Sequence, residues 1–374
     1  MAHVFIVDEN TLSVHLKYKF AGTGAKQHKC NFLENNSITV KPSTERLLSS
    51  MIADISRVKK GDEVIFYLQQ TKKHEGMFFG SFIVKEEPFI CNDGFLEEEL
   101  GKNLTFRVKL IPDKVYKEGI SERECLDSLK NIEHPSQMCW SLIYRKLKGN
   151  RGCTMITNYE YNQIMKKIEL KNNYQYIKSN NFDYDKEKNQ IIPLEKKFEY
   201  IGKKESINIK NRLIYKKNKG NAYESHLQAY ILQNLFDISC LKMNEDKITW
   251  IGNEVSCGVG MQSIDICFIQ ENNKEVNIAI CELKDEQPAE NIRNQLEKYV
   301  EWVKDYIIPT YNKKIILNPI IIAPEPKIKT KEMFKSIEKS LIYKSEKIEV
   351  KKIKYIEFEE KNNEILFREV YYDK

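Results

Sequence analysis

The chain has 374 residues, 41% of them hydrophobic, with 60 Lys and Arg against 54 Asp and Glu for a formal net charge of +6. That length predicts two or three domains with cores of their own, and so small a charge excess does not by itself require a nucleic-acid partner. No apolar run approaches the roughly 20 residues of a membrane helix, and nine cysteines without a CxxC pair or zinc-ligand spacing predict free thiols in a reducing cytoplasm, with no signal peptide.

In chain order, residues 4–7 (VFIV) read as a short buried strand, followed by a loop through Gly22 and Gly24. Ser43 caps a helix with Leu47, Leu48, Met51, Ile52 and Ile55 inward. Gly61-Asp62 turns into a strand at 63–68, and a second turn at 74–76 leads to an antiparallel strand at 77–85. Residues 104–110 form a further strand, with Arg107 and Lys109 on one face and Phe106 and Val108 on the other. Helices are predicted at 121–129, at 140–151, and from Thr157 over 158–168. Composition then shifts. Residues 169–219 are polar, little periodic and increasingly basic, so 171–215 read as a connection. Lys203, Lys204, Lys210, Lys216, Lys217 and Lys219 either line a nucleic-acid channel or simply solvate a linker.

The most informative stretch spans residues 253–306. Residues 263–269 (SIDICFI) and 276–283 (VNIAICEL) read as two strands around a polar turn, and 291–306 repeats apolar residues at helical spacing. Asp265 shares a face with Cys267 and Ile269, while Glu282 and Lys284 share one with Ile278 and Ile280. Acids embedded in core-type strands are costly unless compensated, and a hard divalent cation relieves the repulsion between two of them. Upstream, the helix holding Glu224 turns Leu227, Tyr230, Ile231 and Leu235 inward. Beyond the core, residues 314–323 read as a buried strand broken by Pro319, 331–341 as a helix, and 348–359 with 364–372 as a closing hairpin.

Asp265, Glu282-Leu283-Lys284 after a hairpin, Gln295 and Tyr299 on the next helix, and Glu224 upstream resemble the PD-(D/E)XK nuclease superfamily. Over about residues 215–325 the chain is similar to the C-terminal domain of NucS-type, RecB-like endonucleases, although Ile264 rather than Pro precedes Asp265. The resemblance implies a restriction-endonuclease-like mixed sheet flanked by helices. It implies Mg²⁺, with Mn²⁺ as the alternative, held by Asp265, Glu282 and the Leu283 carbonyl. Lys284 would activate water, Glu224 would assist, and Gln295 and Tyr299 would steady the site. The N-terminal strand order, with KKGDEVIFYL, GMFFGSFIVKEEPF and LTFRVKL, resembles PUA-like domains of the EVE and YTH type. That implies a small β-barrel with flanking helices that reads a base in an aromatic cage.

Tyr67, Phe79, Trp140 and Tyr144 are the cage candidates, with Arg145, Lys146 and Arg151 for phosphates. The competing expectation is that hairpin aromatics are core and that 145–151 is a solvated loop. The predicted division is a base-reading domain at 1–170, a basic connection at 171–215 and a nuclease domain at 216–374, in an α+β and α/β fold. The expected activity is Mg-dependent endonucleolytic hydrolysis of DNA, directed to modified bases, by a cytoplasmic homodimer without a membrane role. The alternatives are a mismatch- or structure-specific endonuclease and a nucleic-acid-binding protein with a silent nuclease fold.

Overall fold

The computed structural model describes residues 1–25, 29–33, 36, 38–72, 74–139, 152–257 and 262–371. The chain forms two units, Met1–Glu133 with Met138–Ile207, and His134–Gln137 with Asn208–Lys374. Residues 171–207, anticipated as part of a connection, therefore belong to the first unit. Its elements are β1 (Ala2–Val7), α1 (Glu9–Tyr18), β2 (Phe20–Thr23), α2 (Pro42–Ser56), β3 (Glu63–Leu68), β4 (Met77–Val84) and β5 (Phe89–Ile90). There follow α3 (Glu97–Leu100), β6 (Phe106–Pro112), β7 (Ile120–Ser121), α4 (Glu122–Leu126), β8 (Cys153–Ile156), α5 (Asn158–Lys171), β9 (Phe182–Asp185) and β10 (Gln190–Pro193).

The strands pair in the order β2-β6-β4-β3-β1-β8. β1 and β3 run parallel, and the other pairs of this path are antiparallel. β7 pairs the start of β4 and β6 pairs its end, and the sheet curls. A curled sheet flanked by helices is the fold class anticipated for this half. Pro42, not Ser43, opens α2: its ring presets the first helical φ, and no side chain caps that end. The β9–β10 hairpin is held against α1 by Ser13, whose hydroxyl donates to Asp183 at 2.6 Å, while Phe182 and Ile191 are fully buried.

Arg107 corrects the two-faced reading of β6: it is as buried as Phe106 and Val108. Its guanidinium donates to the carbonyls of Leu104 (2.6 Å) and Phe95 (2.8 Å) and to the Tyr200 hydroxyl (3.1 Å), so the charge is compensated in place. Beside it His15 packs between Phe20 and Phe66, at ring distances of 4.7 and 5.5 Å, with neither ring nitrogen bonded among the described residues. Burial, then the Arg107 charge, lower the His15 pKa from 6.5 to about 3. Its contribution to stability is thus complete above pH 6.5 and is lost as pH falls towards 3. Urea midpoints should fall with acid across that window, by up to about 1.4 kcal/mol per pH unit from this group. His15→Phe should flatten the limb, and an unchanged acid slope would show that His15 is not held neutral.

The second unit contains α6 (Lys210–Asn218), α7 (Glu224–Gln233), β11 (Ile248–Ser256), β12 (Ser263–Glu271), β13 (Glu275–Leu283), α8 (Ile292–Tyr306) and β14 (Lys314–Ala323). It ends with α9 (Ile328–Ile337), β15 (Tyr343–Lys344), β16 (Ile348–Val350), β17 (Lys354–Lys361) and β18 (Glu364–Val370). The sheet runs β11-β12-β13-β14-β16-β15, with β17 on β14 and β18 on β17. β11, β12 and β13 are mutually antiparallel, and β13 and β14 are parallel. This is a mixed sheet with helices, as anticipated. Pro319 does not break β14. On one edge β16 pairs up to Leu317 and β17 takes over from Ile320, so the residue lacking an N–H falls between two partners.

Among the described residues no helix is long and apolar enough to cross a membrane, and all nine cysteines are free.

Candidate active site

The register of β12 and β13 brings two acids together. Ile266 faces Cys281, the last registered pair, and the residues just beyond it, Asp265 and Glu282, share the face of Cys267 and Ile280. The remainder of this face, Cys267, Ile269, Ile278 and Ile280, is buried. Asp265 is 8% exposed and Glu282 only 2%. One Asp265 oxygen accepts the Leu283 N–H at 2.6 Å. Lys284 donates its ammonium to Glu282 Oε1 at 2.5 Å, while Oε2 is buried without a hydrogen-bond partner among the described residues. Burial, then the Glu282 charge, push the Asp265 carboxyl well above the usual carboxylate range, and Glu224 and Glu254 add to the effect. Burial works against the Lys284 ammonium, but the Glu282 charge and hydrogen bond outweigh it and hold it above its ordinary pKa.

Two helices frame the pair. At the start of α7 Tyr223 donates its N–H to Asp285 Oδ2 (3.2 Å) and its hydroxyl to the Asp285 carbonyl (2.9 Å). That pins the helix to the end of β13. Glu224 is half-buried there. Its carboxyl is raised by burial and by Asp285, Glu282 and Glu254, against a lowering influence from Lys284. One turn on, the Gln228 amide donates to the Asp265 carbonyl (2.9 Å) and to Glu254 Oε1 (3.1 Å), and its oxygen accepts from Asn253 (3.3 Å). Gln228 thus ties the helix to the strand that carries Asp265. From α8, Tyr299 is buried beside the acids. Its phenol is pushed up by burial and then by the Glu282 and Asp265 charges. Gln295 lies one turn earlier, half-buried, with no side-chain hydrogen bond among the described residues.

Glu254 and Gln228 were not among the anticipated residues. Between the registered pairs Asn253–Ile266 and Val255–Ile264, Glu254 falls across from Asp265 on the other side. Its φ of +50° is left-handed, which a strand pattern does not announce. The Ser263 hydroxyl donates to its second oxygen at 3.1 Å.

Among the described residues no group of three or more His, Cys, Asp and Glu side chains is placed to hold a metal ion. The anticipated ligands, Asp265, Glu282 and the Leu283 carbonyl, are two carboxylates and a backbone oxygen, with Glu224 in an assisting role, so they do not make such a group. The pair of carboxylates fits a hard cation. Mg²⁺ is commonly held by one or two carboxylates, with water and substrate phosphate completing its shell. The orphaned Glu282 Oε2 and the strained Asp265 carboxyl are the atoms such an ion would satisfy.

Of the cage candidates in the first unit, Trp140 and Tyr144 lie outside the described residues, as do Arg145, Lys146 and Arg151. Phe79 is 1% exposed, edge-on to Tyr184 at 5.9 Å, with Gly119 seated against its ring. It is a core residue, because no face of the ring is open to a ligand. Tyr67 packs on Phe78 at 5.0 Å, and burial and the Glu122 carboxylate raise its phenol. Tyr67 is itself 1% exposed, but a cavity of about 780 Å³ opens beside it, lined among the described residues by Tyr67, Gln69, Gln70, Thr71 and Lys72.

No family model matches the chain, and no curated protein matches it either. Among solved structures, a hypothetical protein from Leishmania major matches with a TM-score of 0.30 and 12% identity, over 46% of this chain and 95% of that one. Human THYN1 protein in complex with 5-methylcytosine containing DNA matches with a TM-score of 0.26 and 12% identity, over 45% and 97%. The DUF55 domain of human thymocyte nuclear protein 1 matches with a TM-score of 0.28 and 13% identity, over 46% and 99%. Likenesses at this level carry no argument about what this chain binds.

Proposed function

We propose that the second unit is a divalent-metal-dependent DNA endonuclease of the PD-(D/E)XK kind and that the first is a PUA-like base-reading domain that directs it. The observation that carries the catalytic reading is the cross-strand pair Asp265–Glu282, buried, adjacent to Lys284, with one carboxylate oxygen unsatisfied. Asp265, Glu282 and the Leu283 carbonyl would hold Mg²⁺ or Mn²⁺, which supplies Lewis acidity at a phosphoryl oxygen and a more acidic water. Lys284 orients the attacking water and offsets the charge that develops on the phosphate. Glu224, close enough to feel the Lys284 and Glu282 charges, takes up the proton the water loses. Tyr299 and Gln295 steady the site from α8. A single such site cuts one strand, so double-strand cleavage requires a homodimer or two encounters.

Supercoiled plasmid incubated with Mg²⁺ is expected to be nicked, and EDTA is expected to stop it. No cleavage of any DNA with Mg²⁺ or Mn²⁺ would leave the binding-only reading in its place. For the first unit, the Tyr67 cavity is the candidate base pocket, with the Gln69 and Gln70 amides as candidate edge readers. Duplexes with and without 5-methylcytosine are the first probes. Preference for the modified duplex, lost in Gln70→Ala without loss of plain-DNA nicking, is the expected result. Equal cutting of both, with preference for a mismatched duplex, would favour mismatch recognition instead.

A further inference from the structure

The sheet of the second unit has a second furnished face. Phe268, Ala279 and Asn318 stand abreast on β12, β13 and β14, pointing away from Asp265 and Glu282. Ile320 and Lys354 pair on the neighbouring strands β14 and β17. Ala279 is small, and the space above it is a groove of about 410 Å³ with Leu241 at its wall. Segment 241–247 overhangs it. Gln270 holds that segment by donating to the Lys242 carbonyl (3.4 Å) and accepting the Asn244 N–H (2.8 Å). A volume of that size lies within the usual range for small-molecule sites, about 300–1,000 Å³.

The polar groups at the rim define the occupant's chemistry. Lys242 and Lys247 are exposed at the groove and form no ion pair among the described residues. Lys354, the third lysine of the lining, is already paired with Glu369 at 3.7 Å, so the uncompensated ammonium groups are those of Lys242 and Lys247. Among the described lining residues the one acid, Glu271, is already neutralised by Lys313 at 2.6 Å. The excess charge is therefore positive and the complementary ligand is an anion. The floor of Phe268, Ala279 and Ile320 is apolar and buried, so the ligand also carries an apolar body. Above it the half-buried Asn318 carboxamide makes no hydrogen bond among the described residues. A free carboxamide presents one donor and one acceptor side by side, the pattern that matches a nucleobase edge.

We propose that this groove binds a nucleoside monophosphate, with the base on the apolar floor against Asn318 and the phosphate at Lys242 and Lys247. It lies on the face opposite the acids, so its occupancy is independent of catalysis. The test is titration calorimetry on the full chain with adenosine, guanosine, cytidine and uridine monophosphates and, separately, inorganic phosphate and a single-stranded oligonucleotide. At least one nucleotide is expected to bind at one site per chain. Lys242→Glu with Lys247→Glu should weaken it by about tenfold or more, as expected for loss of charged hydrogen bonds. Asn318→Leu should weaken nucleotide by about tenfold while leaving any phosphate binding unchanged. The lysines are exposed, so the unchanged melting of their variants shows an intact fold. Asp265→Asn should bind nucleotide as the parent does, even if the chain cuts no DNA. Absence of nucleotide binding, phosphate or oligonucleotide as the sole ligand, or equal affinity in both variants would overturn the proposal.

Discussion

Asp265→Asn is expected to abolish cation-dependent cleavage and, in the same molecule, to stabilise the cation-free protein. The two effects have one cause. Asp265 is buried beside the Glu282 charge, and both burial and that charge disfavour its ionised form. Its folded pKa therefore lies above its unfolded value of 3.8, so its contribution is intact below the unfolded pKa and is lost as pH rises through the folded one. Asparagine keeps the acceptor for the Leu283 N–H but carries no charge. In EDTA the variant should melt close to the parent in acid and higher in alkali. The gain should be a few degrees, at about 2–4 °C for each kcal/mol relieved in a domain of this size. Cleavage should fall at least about a thousandfold, because the atoms that hold the ion are gone. Parental cleavage by the variant would remove Asp265 from the site, and equal melting at alkaline pH would show that the carboxylate is not strained.

Lys284→Met should also silence the chain, but with the opposite effect on stability. The Glu282 side chain is 3% exposed, and its one hydrogen-bonded oxygen is partnered by the Lys284 ammonium. Removing one partner of a fully buried pair leaves an uncompensated charge at a cost of about 3–5 kcal/mol; the Lys284 side chain is 28% exposed, so solvent reduces the loss here below that range. Two measurements identify the cause. Adding Glu282→Gln to Lys284→Met should restore most of the loss, giving a large coupling energy in a double-mutant cycle. Mg²⁺ should recover part of it in the single variant by supplying the missing positive charge. Independent, additive losses would show that the pair is not coupled.

Much of this site is legible in the sequence. Strand alternation assigns Asp265 and Glu282 to faces, and the short polar turn between their strands makes the pairing antiparallel. The period of α8 puts Tyr299 inward with Leu296 and Val303, where it is found. Other elements left little trace. α1 buries polar Thr11 and His15 along with Leu12, Val14 and Leu16, so its apolar period is weak; its signal was the Asp8–Thr11 capping box. β11 holds Gly252 and Asn253, residues depleted in strands. The β9–β10 hairpin hides within a segment of linker-like composition, because its stability comes from docking on α1 rather than from its own pattern.

From the order of residues alone came the two strands, the helix behind them and the identity of the acids and the lysine, since periodicity and charge are local properties of the chain. Only the folded chain decided that Gln228 and Glu254 flank Asp265, and that Arg107 and Phe79 are core. Those outcomes depend on register, on a left-handed residue within a strand and on what packs above each face. They are set by contacts between residues distant in the chain, which no local pattern encodes.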